Sequence, residues 1–199
     1  MSTTEPRQST FGPSALATPA NALTLGRILA TPVLVALVLH TGPSSWLLTA
    51  AWFVCASTDG VDGWVARRQG TTRSGAFLDP LADKFLVLGV LAALADIREI
   101  SWIPVVLIGA REVAMSLYRT YAGRRGVSIP ARNTAKIKTF LQDIVVGMAL
   151  LPPVGVHHAV VVRAVLWVAV GITLYTGLEY LVDGRRLVSR VAPAAGAND

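Results

Sequence analysis

The stretch STDGVDGWVARRQGTTRSGAFLDPLADK, residues 57–84, decides the fold of this chain. It places four aspartates, Asp59, Asp62, Asp79 and Asp83, where the surrounding sequence is otherwise apolar. Isolated charges in hydrocarbon are costly, and clustered like charges add repulsion to that cost. The stretch therefore indicates a membrane protein in which something positive compensates these carboxylates.

The overall composition also indicates an integral membrane protein. Hydrophobic residues make up 53% of the 199 residues, charged residues make up 15%, and the mean hydropathy is +0.54. About a quarter of the residues in soluble domains are charged. The formal charge of +6 does not point to nucleic acid, because the basic residues fall between apolar runs instead of forming one stripe. Cys55 is the single cysteine, which excludes a disulfide within the chain.

Six apolar segments each approach the roughly 20 residues that a spanning helix needs. They predict an all-α integral membrane protein with six transmembrane helices. The predicted helices are 23–40, 46–66, 75–95, 102–121, 134–152 and 159–181. The length suits one domain. We expect a flexible cytoplasmic tail over 1–20, a membrane domain over 21–183 and a second cytoplasmic tail over 184–199.

Arginines between the segments predict the orientation of the chain. They cluster after the second segment, after the fourth segment and in the C-terminal tail, and the positive-inside rule places such clusters in the cytoplasm. The alternate connections, TGPSS, DIREIS and PPVGVHH, carry almost no basic charge. The sequence therefore predicts a multi-pass protein of the cell inner (plasma) membrane with both termini in the cytoplasm. The clustered arginines are Arg67, Arg68, Arg73, Arg124, Arg125, Arg132, Arg185, Arg186 and Arg190.

The spacing of the aspartates predicts a metal site. Asp59 and Asp62 are three residues apart, and Asp79 and Asp83 are four apart, so each pair shares one helical face. A short loop joins the two segments, which predicts antiparallel neighbours with both pairs at the cytoplasmic end. Carboxylate oxygens favour Mg²⁺ or Mn²⁺, and the sequence has no cysteine or histidine cluster that would favour zinc.

The depth of this site indicates phosphoryl chemistry on a lipid. Arg67 marks the point where the second helix leaves the membrane, so Asp62 lies roughly 7–8 Å further in. That depth is the level of the lipid headgroups. Gly60, Gly63 and Gly75 leave the backbone accessible to a bulky ligand, and Arg67 is placed to bind an anion.

Other interpretations of the aspartates remain open at this point. Asp79 precedes Pro80 and would suit a helix N-cap. Either pair could form a structural salt bridge with Arg67 or Lys84. A cation transporter also uses intramembrane carboxylates, although the four aspartates here lie near one membrane face instead of tracking across.

A signature of eight fixed positions runs through the same stretch. The chain resembles the CDP-alcohol phosphotransferases, whose pattern is D-x2-D-G-x2-A-R-x7 or 8-G-x3-D-x3-D. The resemblance implies two divalent cations, Mg²⁺ or Mn²⁺, held by the four aspartates, with Asp83 as the general base. It also implies that the other four signature residues hold the CDP-lipid, and that the protein is a homodimer. The signature residues are Asp59, Asp62, Gly63, Ala66, Arg67, Gly75, Asp79 and Asp83.

Further stretches resemble one branch of that family, the phosphatidylglycerophosphate synthases. They are TPANALTLGRILATP, DPLADK, IGAREVAMSLYR and AKIKT. The branch implies transfer of the phosphatidyl group of CDP-diacylglycerol to glycerol 3-phosphate, with release of CMP. Two positions depart from the branch pattern: Ala20 separates Pro19 from Asn21, and Ala135 replaces a glycine.

The acceptor implied by this branch is a dianion, so its pocket needs cations. Arg111, Arg119, Lys136 and Lys138 lie at cytoplasmic helix ends or within apolar runs, where an unpaired charge is costly. They are the candidate ligands of the acceptor phosphate, and Glu112 is a candidate salt-bridge partner of Arg111 or Lys138. Two alternative functions remain: a cardiolipin synthase of the CDP-alcohol type, which uses phosphatidylglycerol, and a cation transporter.

Overall fold

Seven α-helices form the described part of the chain in this computed structural model. The structure describes the backbone of residues 19–69, 73–124 and 134–191, and the side chains of residues 22–58, 81–121 and 137–182. All regular secondary structure in these ranges is helical, which confirms the predicted all-α class. The helices are α1 Pro19–Thr41, α2 Trp46–Gln69, α3 Arg73–Asp96, α4 Trp102–Arg124, α5 Thr134–Leu150, α6 Pro152–Gly155 and α7 Ala159–Val191.

Each of the six predicted segments corresponds to one long helix, but several helix ends differ from the predicted bounds. Helix α3 begins at Arg73, so Asp79 lies inside the helix and the N-cap interpretation of this residue is wrong. Helix α3 continues through Pro80, because a proline removes one backbone N–H donor and can kink a helix without ending it. Helix α2 continues to Gln69, and α7 continues to Val191, past its apolar part. Helical hydrogen bonds are internal to the helix, so a helix need not end where its hydrophobicity ends.

Helix α1 is central to one half of the fold. It packs against both α2 and α3, whereas α7 packs against α4 and α5. The predicted contact between α2 and α3 falls mainly on residues 59–80, whose side chains lie outside the described residues. Among the described residues, α1 makes the extensive contact with each of these helices. Helices α1 and α3 approach closely at Gly89, where an added Cβ would lie 3.2 Å from Thr31 Cγ2 and 3.3 Å from Val35 Cγ2.

The core is apolar and the outer surface is apolar as well. The largest fully buried side chains include Trp52, Leu91, Ile108 and Leu166. Large exposed hydrophobic side chains cover the outside of every long helix whose side chains are described, and such surface marks contact with a membrane or another protein. They include Leu29, Val33, Phe53, Val54, Phe85, Val106, Leu117, Phe140, Val160 and Trp167.

Within the part of the chain that the structure describes, two helices are long and apolar enough to cross a membrane by length and composition. These stretches are Ala22–Thr41 in α1 and Ala159–Val182 in α7. The other four long helices each contain several charged residues, among them the aspartates of the signature and the candidate acceptor ligands. Several of the charges that lower the apolar character of these helices therefore belong to the candidate site.

Candidate active site

The four signature aspartates lie on two regular helices. Asp59 and Asp62 belong to α2, and Asp79 and Asp83 belong to the first half of α3. Unbroken helical backbone through each pair keeps its two members on one face. Asp83 is half-buried and interacts with a neighbouring group. The remaining signature side chains lie outside the described residues: Asp59, Asp62, Gly63, Ala66, Arg67, Gly75 and Asp79.

A buried ionic cluster joins α3, α4 and α5. Its members are Lys84, Arg111, Glu112 and Lys138, and we call it the Glu112 cluster. Lys138 Nζ donates a hydrogen bond to Glu112 Oε1, and Arg111 donates to the same oxygen from Nη1 at 3.0 Å. Lys84 Nζ lies 3.4 Å from Glu112 Oε2. Glu112 and Lys138 are each only 6% exposed, so this carboxylate connects cations from three helices inside the fold.

The guanidinium of Arg111 is also held by α7. Its Nε donates to the backbone oxygen of Thr173 at 3.1 Å, and its Nη2 donates to Thr176 Oγ1 at 3.3 Å. Gln142 of α5 donates from Nε2 to Thr173 Oγ1 at 3.1 Å. Polar contacts therefore tie α4, α5 and α7 together around Arg111, and they fix the direction in which its side chain points.

The Glu112 cluster contains three cations and one carboxylate. Taking cations out of water is costly unless each is paired and hydrogen-bonded. Among these four described residues the cations outnumber the carboxylate, and arginine and lysine donors suit a phosphate group, which accepts several charge-assisted hydrogen bonds. Lys84 directly follows Asp83 in α3, so the cluster lies at the same level of the fold as the second aspartate pair.

The structure connects two of the four residues that the sequence predicts to bind the acceptor phosphate. Arg111 and Lys138 meet through Glu112, and the salt-bridge role predicted for Glu112 is confirmed with both partners. Arg119 is exposed, and its guanidinium carbon lies 5.8 Å from the centre of the Tyr180 ring. The side chain of Lys136 lies outside the described residues.

Sequence reasoning missed several polar residues around Arg111. Lys84 belongs to the stretch DPLADK, but the sequence does not place it in the acceptor site. Nor does the sequence predict a role for Gln142, Thr173 or Thr176. A signal was present, because Thr173 and Thr176 are polar residues three apart within the apolar part of α7. That spacing places both on one face. Which helix they would face depends on the packing of α7 against α4 and α5.

A second missed contact lies beside the first aspartate pair. Arg27 of α1 is 3% exposed, and its Nε donates to Thr58 Oγ1 at 3.4 Å. Thr58 immediately precedes Asp59 in α2. The hydroxyl of Thr31 is in turn bonded to the backbone oxygen of Arg27 at 2.9 Å. Helix α1 thus brings a buried cation to the start of the signature.

Comparison with known proteins decides the family. The model of the CDP-alcohol phosphatidyltransferase family matches residues 17–175, most of the chain. The chain belongs to the CDP-alcohol phosphatidyltransferase family. The match includes the whole signature and both helices that carry it, and it confirms the family resemblance predicted from the eight signature residues.

Relatives of this family member carry names from the branch predicted above. A protein of Mycobacterium tuberculosis named probable phosphatidylglycerophosphate synthase is 37% identical over 189 residues, which cover 92% of this chain and 90% of the relative. Proteins of Rickettsia bellii and Bacillus subtilis are named CDP-diacylglycerol--glycerol-3-phosphate 3-phosphatidyltransferase. They are 38% and 35% identical, respectively, and each comparison covers 80% of this chain and 91% of the relative.

Proposed function

We propose that this protein transfers the phosphatidyl group of CDP-diacylglycerol to glycerol 3-phosphate, giving phosphatidylglycerophosphate and CMP. Family membership and the names of the relatives support this activity. The observation that carries the choice of acceptor is the Glu112 cluster, in which Lys84, Arg111 and Lys138 converge close to Asp83. A small phosphate-bearing alcohol needs this combination: cations for its phosphate and a base for its hydroxyl.

The proposed reaction is a direct displacement at phosphorus. Asp83 takes the proton of the acceptor hydroxyl while the hydroxyl oxygen forms a bond to the lipid-linked phosphorus. The bond from that phosphorus to the oxygen that bridges to CMP breaks, and CMP leaves with the bonding electron pair. Asp83 then holds the proton until it passes to solvent. Arg111 and Lys138 hold the acceptor phosphate and orient its hydroxyl.

The signature aspartates fit hard divalent cations. Their side chains supply oxygen donors, and their spacing on two regular helices allows each pair to face the same way. Two Mg²⁺ or Mn²⁺ ions held by Asp59, Asp62, Asp79 and Asp83 would neutralise the diphosphate and stabilise the leaving phosphate. The CDP-lipid would be held by the other signature residues, Gly63, Ala66, Arg67 and Gly75.

Arg119 and Lys136 complete the proposed acceptor site. Arg119 lies two helical turns beyond Arg111 in α4, and Lys136 precedes Lys138 by two residues in α5. Both belong to the helix ends that the arginine pattern assigns to the cytoplasm. Within the cluster, Glu112 holds three cations together and orients them before the anionic substrate binds.

The enzyme would be a multi-pass protein of the inner (plasma) membrane with six spanning helices. Support comes from the six long helices, the exposed apolar side chains on their outer faces, and the alternation of arginine between successive connections. Both termini and the active site would face the cytoplasm, where glycerol 3-phosphate is accessible. The family resemblance supports a homodimer.

The test is release of CMP by the purified protein in detergent. CDP-diacylglycerol and Mg²⁺ are supplied with glycerol 3-phosphate, phosphatidylglycerol, inositol phosphate or no acceptor, each with and without a chelator. We expect chelator-sensitive release with glycerol 3-phosphate only. Release with phosphatidylglycerol alone would instead identify a cardiolipin synthase, and no release with any acceptor would favour a cation transporter.

A further inference from the structure

Arg111 depends on α7 for its position. Its Nε and Nη2 donate to Thr173 and Thr176, while Nη1 donates to Glu112 of its own helix. Arginine carries its N–H groups in a planar fork, so contacts along one edge determine where the rest of the fork points. The donors that these contacts do not use are available to an anion.

The hydroxyl of Thr176 is itself fixed. It donates towards the backbone oxygens of Ile172 and Thr173, at 2.9 and 3.1 Å, from a residue that is 6% exposed. With its proton directed to the backbone, its oxygen is free to accept from Arg111 Nη2. Thr176 therefore acts as an oriented acceptor, because its hydrogen bonds to the backbone of α7 fix the direction of its lone pairs.

Gly177 provides the space in which Arg111 lies. A Cβ at Gly177 would stand 3.1 Å from Arg111 Nε and 3.3 Å from Arg111 Cγ. Both distances are shorter than an ordinary van der Waals contact, so an added methyl group would require the Arg111 side chain to shift by a few tenths of an ångström. Gly171, six residues earlier in the same helix, has nothing within 4 Å of the equivalent position.

We infer that Thr176 and Gly177 of α7 are positioning residues that set the affinity of the acceptor site through Arg111. This inference rests on the function proposed above, and it extends the site to a helix outside the signature. Both residues lie beyond residue 175, where the match to the family model ends. They act on the acceptor phosphate and not on the CDP-lipid, because their described contact with the site is Arg111.

The experiment compares two matched pairs of variants by steady-state CMP release. Gly177→Ala is compared with Gly171→Ala, which adds the same methyl group to the same helix in open space. Thr176→Val, which removes the hydroxyl, is compared with Thr176→Ser, which keeps it. The KM values for glycerol 3-phosphate and for CDP-diacylglycerol and the kcat are measured for each, together with thermal stability in detergent.

We expect Gly177→Ala and Thr176→Val to raise the KM for glycerol 3-phosphate by about 3- to 10-fold, the range that corresponds to loss of one hydrogen bond. Their kcat and their KM for CDP-diacylglycerol should stay near the wild-type values, and Thr176→Ser and Gly171→Ala should behave as wild type. If Gly177→Ala does not fold, the Thr176 pair decides the outcome.

Two results would overturn the inference, and a third would overturn the proposed function. An unchanged KM for glycerol 3-phosphate in Thr176→Val would show that α7 does not position Arg111. If a variant raised both KM values and also lowered kcat and thermal stability, Thr176 and Gly177 would have only a general structural role. If wild-type protein releases no CMP with glycerol 3-phosphate, the proposed function fails and the inference fails with it, and the wild-type reaction alone reveals this.

Discussion

Glu112 of α4 and Lys138 of α5 form an ion pair in which each side chain is only 8% exposed. Arg111 Nη1 and Lys84 Nζ approach the same carboxylate at 3.0 and 3.4 Å. A carboxylate in such a position does more than pair with one lysine, because it offsets several cations that would otherwise repel one another. The stability of this region and the shape of the proposed acceptor site therefore depend on one residue.

Removing the charge of Glu112 should destabilise the fold. Glu112→Gln leaves Lys138 buried without its carboxylate, which we expect to lower the free energy of unfolding by about 3–5 kcal/mol. The measurement is denaturant unfolding in detergent. The double variant Glu112→Gln/Lys138→Met should lose less than the sum of the two single variants, because it removes both charges. Strict additivity would contradict the ion pair.

Replacing Asp83 should abolish turnover without unfolding the protein. We expect Asp83→Asn to lower kcat for CMP release by about 10²- to 10⁴-fold, because the amide cannot accept the proton of the acceptor hydroxyl. Asp79→Asn should also abolish turnover. The matched control is Asp96→Asn, at the exposed opposite end of α3, which should retain full activity. A full rate in Asp83→Asn would rule out its assignment as the base.

Arg111 and Arg119 should differ in their sensitivity to substitution by lysine. Arg111 contacts Glu112, Thr173 and Thr176, and a lysine ammonium cannot reproduce this planar set of contacts. We expect Arg111→Lys to raise the KM for glycerol 3-phosphate about 10-fold or more. Arg119→Lys should raise it less, since its described contact is with the Tyr180 ring. Equal increases in KM for the two variants would contradict the conclusion that Arg111, and not Arg119, is held inside the Glu112 cluster.

The close contact of α1 and α3 at Gly89 should be sensitive to an added methyl group. Thr31 Cγ2 lies 3.2 Å from the added atom, and the hydroxyl of Thr31 is held by the Arg27 carbonyl, so Thr31 cannot easily rotate away. Gly89→Ala should lower the free energy of unfolding by about 1–3 kcal/mol through overpacking. The higher helix propensity of alanine should offset about 1 kcal/mol of this loss.

The control for this contact is Gly26→Ala in α1, where nothing lies within 4 Å of the added atom. Only the gain in helix propensity applies there. Thermal unfolding in detergent should therefore rank Gly26→Ala above Gly89→Ala. The reverse order would mean that α1 and α3 do not approach as closely as described.

The sequence by itself determined the helices, the family and the candidate chemistry. Apolar runs of nearly constant length predicted all six long helices. The apolar character of such a helix depends only on its own consecutive residues, so it is visible in the sequence. The signature predicted the family because its eight residue types and their spacing can be recognised in the sequence without knowledge of the fold. It also suggested that Glu112 would pair with Arg111 or Lys138, because a buried cation in an apolar run needs a partner.

Only the tertiary structure decided which residues meet. Lys84, Thr173 and Thr176 join Arg111 and Lys138 because α3, α4, α5 and α7 converge, and no periodicity within one helix specifies that convergence. The packing of α1 against α3 likewise depends on side-chain fit at Gly89. Helix formation follows from local hydrogen bonds and hydrophobicity, whereas the ion pairs around Glu112 join residues distant in sequence, so they depend on how the helices pack.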